Sequence, residues 1–307
     1  MVEVPVLYIT FCRPDYARRS FDAIKKAQPR KLYFYSNKAR EDRPDEVRRN
    51  EEVRSFVKEI DWECELKTWY RDEYVDIFTS IHGALDWIFN NEEQAIILEE
   101  DCVASLAFFN YCESLLPRYK DNSRVRLISG DNITPEYNPQ GYDYFFTHMT
   151  QIYGWASWRN KWRNLVWSFS DWPQVRQEEF RKYYPHLLER LYFNLMFSKM
   201  YRERNDRLSW DFVTLFNMIK NNEVTIIPKY NLVDDIGLVG DNHQVSVKKT
   251  VSKQVFYGNS FDVSHYPENI YTMDSYDYHH FKKHIWGSFI RYEVKKYYNH
   301  FIKCFHK

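Results

Sequence analysis

The sequence predicts an α/β fold in which helices flank a mostly parallel central sheet. Near-continuous apolar runs at residues 4–11, 32–36 and 95–98 are typical of strands that are buried on both faces. The segments between these runs have the apolar spacing of helices. Strands and helices therefore alternate through residue 98, which is the pattern of a parallel sheet covered by helices.

The individual elements of this first part follow from the same spacing. After the first strand, Ala17, Phe21 and Ile24 fall on one side of a predicted helix over residues 15–28, with Arg and Lys on the other side. Similar arguments predict a polar-faced helix at 38–60, an alternating strand at 64–69 and a helix at 77–90.

The second half of the sequence is less regular. Recognisable elements are short: strands at 125–129 and 224–227, and helices around 186–204 and 210–221. Residues 142–172 are rich in aromatic side chains, which either pack a core or line a sugar-binding surface. Because no repeat and no Gly/Ser linker divides the chain, we predict one compound domain over residues 1–245 and an extension over residues 246–307.

Composition narrows the classes of function. The 43 basic and 43 acidic residues balance, so there is no overall basic field and we expect no nucleic-acid partner. The five cysteines form no CxxC motif, which favours buried thiols in a reducing compartment. Residues 1–10 do not resemble a signal peptide, and no segment approaches the roughly 18 apolar residues of a spanning helix. We therefore expect a cytoplasmic protein.

Residues 279–307 form a basic, aromatic tail. Phe281, Ile285 and Phe289 recur at helical spacing, and seven Lys or Arg residues face the single acid Glu293. Such a helix suits an anionic membrane surface, which would place the protein at the inner membrane face. The alternative is a helix packed on the domain with snorkelling lysines.

Three acids follow the fourth predicted strand directly: Glu99, Glu100 and Asp101. Ligands of parallel sheets bind beyond the carboxyl ends of the strands, so these acids should share a crevice with residues 12–13 and 36–37. A strand-end carboxylate can hold Mn²⁺ or Mg²⁺, and that cation can neutralise the pyrophosphate of a nucleotide sugar. A P-loop NTPase is excluded because the sequence has no GxxxxGK[ST] motif, whereas a solvated acidic turn remains an alternative.

Residues 97–102, followed by Phe108 and Phe109, resemble the acidic metal-binding motif of GT-A-fold glycosyltransferases. The similarity is strongest to the bacterial hemolytic-protein-like sugar transferases and more distant to N-acetylglucosaminyltransferase I. Further matching stretches occur in the same order at residues 13–14, 128–132, 154–158, 210–211 and 228–233. This resemblance implies the GT-A fold, a Rossmann-like α/β sheet, with a C-terminal helical tail in this chain.

The resemblance also implies roles for single residues. It places a metal ligand at Asp101, and Glu99 and Glu100 near the sugar and ribose of the donor. Arg13 and Asn37 would lie near the nucleotide, Trp155 would shape the donor pocket, and Asp211 would be the general base of an inverting reaction. Asp211 also suits the N-terminus of a helix, where an acid favours the helix dipole, and Trp155 also suits a core.

Two stretches depart from the family pattern. Residues 73–76 replace an Asn-Leu-Gly-like sequence, and residues 241–244 replace Thr-His. His243 is a candidate metal or pyrophosphate ligand, although a surface histidine is the competing interpretation. The departures leave the donor and the activity level open.

The sequence thus predicts a metal-dependent glycosyltransferase that moves a sugar from a nucleotide donor, expected to be UDP-linked, to a glycan or lipid-linked acceptor. A sugar- or nucleotide-sugar-binding module without turnover is the main alternative. A membrane-lytic protein, which the family label suggests, ranks last because no spanning or secretory segment is recognisable.

Overall fold

The computed structural model of the protein describes residues 1–134, 141–203, 210–237 and 255–287. Its strands are β1 (Val6–Thr10), β2 (Lys31–Ser36), β3 (Glu65–Tyr70), β4 (Gln94–Glu99), β5 (Cys102–Ala104), β6 (Val125–Ser129), β7 (Tyr144–Thr147), β8 (Trp155–Trp158), β9 (Val224–Pro228) and β10 (Val233–Asp235).

The helices begin where the sequence offers a start signal. Pro14 opens the first helix, and the side chains of Asp76 and Ser105 cap two others by accepting hydrogen bonds from the N–H groups of Thr79 and Phe108. The helices are α1 (Pro14–Ala27), α2 (Pro44–Ser55), α3 (Ile77–Asn91), α4 (Leu106–Tyr119), α5 (Arg159–Arg163), α6 (Trp172–Glu178), α7 (Phe180–Tyr183), α8 (Leu187–Glu203), α9 (Trp210–Asn221) and α10 (Asp274–His280), with a 3₁₀ turn at Phe56–Glu59 and a π-helix at Phe281–Trp286.

Eight of the described strands form one sheet in the order β3-β2-β1-β4-β8-β6-β9-β7. The pairs β3–β2, β2–β1, β1–β4 and β6–β9 are parallel, whereas β8 and β7 run against their neighbours. The predicted mostly parallel α/β sheet is therefore confirmed. The remaining strands, β10 and β5, form a separate antiparallel ribbon.

Alternate residues of β1 face two different apolar cores. Val6 and Tyr8 pack with the apolar faces of α1 and α4, while Leu7 and Ile9 pack with α3. All four side chains are buried, which explains why the strand reads as a continuous apolar run in the sequence. Helices thus cover both faces of the sheet, as predicted.

A third core lies among the later helices. Phe193 and Phe197 of α8 pack against Phe216 of α9 and against Phe281, which is fully buried. The described part of the predicted tail, residues 279–287, is therefore packed on the domain at Phe281. The rest of that tail lies outside the described residues.

The extension predicted to follow residue 245 also contacts the sheet where it is described. Thr272 forms a parallel bridge with Phe146 of β7, and the buried Tyr276 hydroxyl donates a hydrogen bond to Asn132 at 3.1 Å. Among the helices described here, none has both the length and the hydropathy needed to cross a membrane.

Candidate active site

A cleft of about 500 Å³ opens at the carboxyl ends of β1, β2 and β4. Five of the residues singled out in the sequence line it: Arg13, Asn37, Glu99, Glu100 and Asp101. They come from three strand ends that are distant in sequence and adjacent in the sheet. The cleft is also lined by Ile9, Thr10, Phe11, Arg40, Tyr74, Val75, Ile77, Ser80, Ile81, Tyr153 and Asp235.

Glu100 ties the ends of β4 and β1 together. Its side chain is buried, and Oε2 accepts a hydrogen bond from the Phe11 N–H at 2.8 Å. Oε1 accepts from Arg13 Nε at 2.6 Å. Because a buried carboxylate needs such partners, these two bonds fix the position of the acidic turn.

Asp101 lies at the bottom of the same turn and faces the cleft. Its Oδ2 accepts a hydrogen bond from Arg13 Nη2 at 2.9 Å, so one guanidinium contacts two successive acids. Gly237 packs directly against this carboxylate, since a Cβ added there would overlap Asp101 Oδ2. The Ile236 N–H also donates to the Asp101 carbonyl at 3.0 Å.

The ribbon of β10 and β5 brings a further acid to the cleft. Asp235 pairs with Cys102, the residue after Asp101, and its Oδ1 accepts a hydrogen bond from the Gly237 N–H at 3.0 Å. Burial raises the pKa of Glu99 to about 8, and the charges of Asp101 and Asp235 add to this effect while Arg13 opposes it. The cleft therefore concentrates negative charge around Glu99.

Asn37 has a positioning role in the structure. Its Nδ2 donates to the Val75 carbonyl at 2.8 Å, and its Oδ1 accepts from the Val75 N–H at 3.3 Å. The buried amide thereby fixes the loop before α3 as a wall of the cleft. Both amide ends are engaged with the backbone, so Asn37 shapes the site through Val75.

An aromatic side chain stands at the cleft mouth on this loop. Tyr74 is 44% exposed, and its ring lies 6.1 Å from the Phe11 ring and 5.2 Å from the Arg40 guanidinium carbon. Arg40 is held in turn by Glu46, with Nε donating to Oε1 at 3.0 Å. A cation and an exposed ring therefore lie side by side where a planar or anionic ligand group could bind.

Arg40, Tyr153 and Asp235 are among the cleft residues that were not predicted from the sequence. Burial raises the pKa of Tyr153 far above its usual value, helped by the charges of Asp235 and Asp131, so its hydroxyl stays protonated. Tyr153 and Asp235 reach the cleft only through the pairing of distant strands. Residues 73–76, which depart from the family pattern, were the sequence signal for the loop that carries Tyr74.

Two predicted site residues lie outside the cleft. Trp155 is buried in the core and packs against Trp210, with ring centroids 5.8 Å apart. Asp211 is the second residue of α9 and lines a second cavity of about 190 Å³ together with Tyr192 and His280. Burial raises the pKa of the Asp211 carboxyl. His243 and the rest of residues 241–244 fall outside the described residues.

The donor set of the cleft suits a hard divalent cation only in part. Glu99, Asp101 and Asp235 offer carboxylate oxygens whose mutual repulsion a cation would relieve. Within the described ranges, however, no group of three or more His, Cys, Asp or Glu side chains is arranged to hold a metal ion. Mg²⁺ often takes one or two carboxylates and completes its shell with waters and substrate phosphates, and the cleft fits that mode.

Comparison with protein-family models gives no match for this sequence, and comparison with curated proteins gives none either. Among solved structures, HddC from Yersinia pseudotuberculosis is similar over 42% of this chain and 57% of its own length, with 9% identity and a TM-score of 0.28. Mouse xyloside xylosyltransferase 1 is similar over 52% of this chain and 69% of its own length, with 12% identity and a TM-score of 0.33. Such weak likenesses carry no conclusion about function.

Proposed function

We propose that this protein is a glycosyltransferase that binds a nucleotide-sugar donor in the cleft described above. The observation that carries the proposal is the convergence of Arg13, Glu99 and Asp101 on one cavity at the carboxyl edge of a parallel sheet. Its volume of about 500 Å³ lies in the range of small-molecule sites. The acidic motif of residues 97–102, which resembles that of GT-A transferases, supports the same proposal.

In this proposal Asp101 is the first protein ligand of Mn²⁺ or Mg²⁺, and the donor diphosphate supplies further oxygens. A bound cation would neutralise the charge that builds on the leaving diphosphate. Arg13 and Arg40 both line the cleft and favour an anionic ligand. Glu99 lines the same cleft, where its carboxyl group can form a hydrogen bond with a sugar hydroxyl. His243 stays a candidate ligand on the strength of the sequence alone.

In this proposal Asp211 is the general base that activates the acceptor. We propose inversion at the anomeric carbon, with Asp211 taking the proton of a hydroxyl on a glycan or lipid-linked acceptor. The raised pKa of Asp211 suits a base, whereas its position in the second cavity is an argument against direct access to the cleft. Asp235, which lines the cleft, is the alternative base. A UDP-linked donor follows from the resemblance only.

The second candidate function is a nucleotide-sugar-binding module without turnover. Two observations favour it: Arg13 already forms an ion pair with Asp101, and the proposed base does not line the donor cleft. Both functions require the cleft to bind a nucleotide sugar, so binding alone does not separate them.

The test is a panel of nucleotide sugars scored first by thermal stabilisation and then by transfer or hydrolysis. A ligand that binds only the folded form raises the unfolding temperature. We expect a donor to stabilise the protein more strongly with Mn²⁺ than with EDTA, and to be consumed in the presence of an acceptor. Stabilisation without consumption would support the module, and the absence of stabilisation by every donor would contradict both functions.

A further inference from the structure

The outward face of α8 carries a row of exposed leucines. Leu187, Leu191 and Leu195 are 63%, 47% and 56% exposed and repeat every four residues, so they lie on one side of the helix. The row extends over about 12 Å at 1.5 Å per residue. The opposite side buries Phe193 and Phe197 in the third core. A surface helix that is apolar on both faces indicates a second contact beyond the domain core.

Basic residues lie at both ends of the leucine row. Lys199 and Arg202 are exposed near the end of α8. At the other end Lys282 lies 4.6 Å above the Tyr278 ring, which stacks on His186 with centroids 4.0 Å apart, directly before Leu187. We call this surface the leucine face; it consists of the three leucines with Lys199, Arg202 and Lys282.

The acidic residues of α8 do not lie among the three leucines. Of the acids of α8, Glu189 is 1% exposed on the inner side and Glu203 is the last residue. The leucine face therefore combines apolar side chains with positive charge. An anionic lipid surface offers the complementary pair, namely acyl chains and negative headgroups.

Two other occupants of the leucine face match its charge poorly. In a two-fold dimer built by antiparallel pairing of α8, Lys199 and Arg202 of one copy would approach Lys282 of the other, and like charges would meet. The chain's own residues 288–307 carry five Lys or Arg residues against Glu293, so they too would bring positive charge to a positive surface.

We propose that the leucine face docks this protein on an anionic membrane surface, with the leucines inserted at the level of the headgroups. The docking is independent of the proposed sugar transfer, because none of these residues lines the cleft. Lys282 is also the first lysine of the basic tail predicted from the sequence.

The experiment measures binding of the full chain to sedimented vesicles of phosphatidylcholine alone or with about one third phosphatidylglycerol. We expect binding to the anionic vesicles and little to the neutral ones. The variant L187Q/L191Q/L195Q should lower that binding at least tenfold, because Gln keeps the helix and removes the apolar row. The control variant L66Q/V166Q removes exposed apolar side chains elsewhere and should bind within twofold of wild type.

A second variant, K199Q/R202Q, leaves the leucines intact. We expect it to bind anionic vesicles several-fold more weakly and with less dependence on salt. Thermal stabilisation by a nucleotide sugar should be the same in all variants, which separates docking from the proposed function. Failure of wild type to bind, or wild-type binding by the triple-leucine variant, overturns the proposal. A wild-type dimer that the triple variant converts to a monomer in light scattering overturns it too.

Discussion

Arg13 holds Asp101 through a hydrogen bond of 2.9 Å from Nη2 to Oδ2. The same guanidinium donates a hydrogen bond to Glu100, so the third residue after β1 contacts two acids of the turn after β4. Burial lowers the pKa of Arg13, but these two acids outweigh it and the net pKa rises, so the guanidinium stays charged. A cation that binds at Asp101 would share this carboxylate with Arg13.

Asp101→Asn tests the metal assignment. Asn can still accept the hydrogen bond from Arg13, so the unfolding temperature without ligand should change little. Transfer should fall about 100-fold or more, the size of effect seen when one electrostatic group of an active site is removed. Stabilisation by donor should no longer depend on Mn²⁺. Asp234→Asn is the matched control, since Asp234 pairs with Arg19 at 3.8 Å and does not line the cleft. Undiminished metal-dependent transfer in D101N would reject Asp101 as a ligand.

Arg13→Gln tests the link between the two strand ends. This substitution removes the guanidinium that pairs with the buried Glu100 carboxylate, which keeps its hydrogen bond from the Phe11 N–H. The free energy of unfolding should therefore fall by about 2 kcal/mol. The double variant R13Q/E100Q should recover most of that loss, because no buried charge is then left unpaired. Urea unfolding of the three proteins measures this. Equal stability of R13Q and wild type would show that the pair is not structural.

Gly237→Ala tests the packing beneath Asp101. The added methyl would overlap Asp101 Oδ2 and displace the carboxylate, so donor affinity in Mn²⁺ should fall about tenfold or more. Gly83→Ala is the control, because its methyl would clash with the end of the Arg71 side chain, which can move, and would meet Trp69 at an ordinary contact distance of 3.4 Å. Calorimetric titration with the donor found in the panel gives both affinities. Wild-type affinity in G237A would mean that the position of Asp101 does not matter for binding.

Asp211→Asn tests the general base. Since Asp211 lines the second cavity, donor affinity should stay within twofold of wild type. Transfer should fall about 100-fold or more if Asp211 accepts the proton, as we propose. The measurement is the turnover number at saturating donor and acceptor. Wild-type turnover in D211N, together with a large loss of turnover in D235N, would identify Asp235 in the cleft as the general base.

Glu189→Gln tests a buried acid on the inner side of α8. Burial raises the pKa of Glu189 to about 8, and within the described residues its Oε1 makes no hydrogen bond. Protonated Glu189 therefore stabilises the fold fully below about pH 4.5, and this contribution is lost as the pH rises to 8.

The E189Q variant cannot ionise, so it should match wild type near pH 4 and exceed its stability above pH 8 by about 5 kcal/mol. Unfolding curves at both pH values measure the difference. Glu203→Gln, at an exposed position of the same helix, should change neither. A wild-type protein whose stability shows the same pH dependence as E189Q would contradict a raised pKa at Glu189.

Strands β1, β2 and β4 could be predicted because each is a local apolar run, and β3 because its residues alternate between apolar and polar. The helix predicted at 77–90 is observed at Ile77–Asn91, and the one predicted at 210–221 is observed at Trp210–Asn221. The acids after β4 could be placed at a ligand site by the general behaviour of parallel sheets. These inferences needed no contact between distant residues.

The remaining features depend on long-range contacts. β8 was visible only within the aromatic-rich stretch, because both of its faces are buried and no alternation of apolar and polar residues marks it. Its pairing with β4 and β6 is a long-range contact. Asp235 enters the cleft through the pairing of β10 with β5, which no local pattern reveals. The same limit explains why Trp155 and Asp211 were expected in the cleft: a motif identifies residue types but not the cavity they line.

The ribbon of β10 and β5 has a consequence for how the protein is made. During synthesis the nascent chain exposes Glu99 and Asp101 long before Val233–Asp235 leaves the ribosome. The early strands can pair as soon as they emerge, yet the acids lack Asp235 and Gly237 as neighbours until more than a hundred further residues have followed. The cleft is therefore completed late, after the sheet that supports it has begun to form.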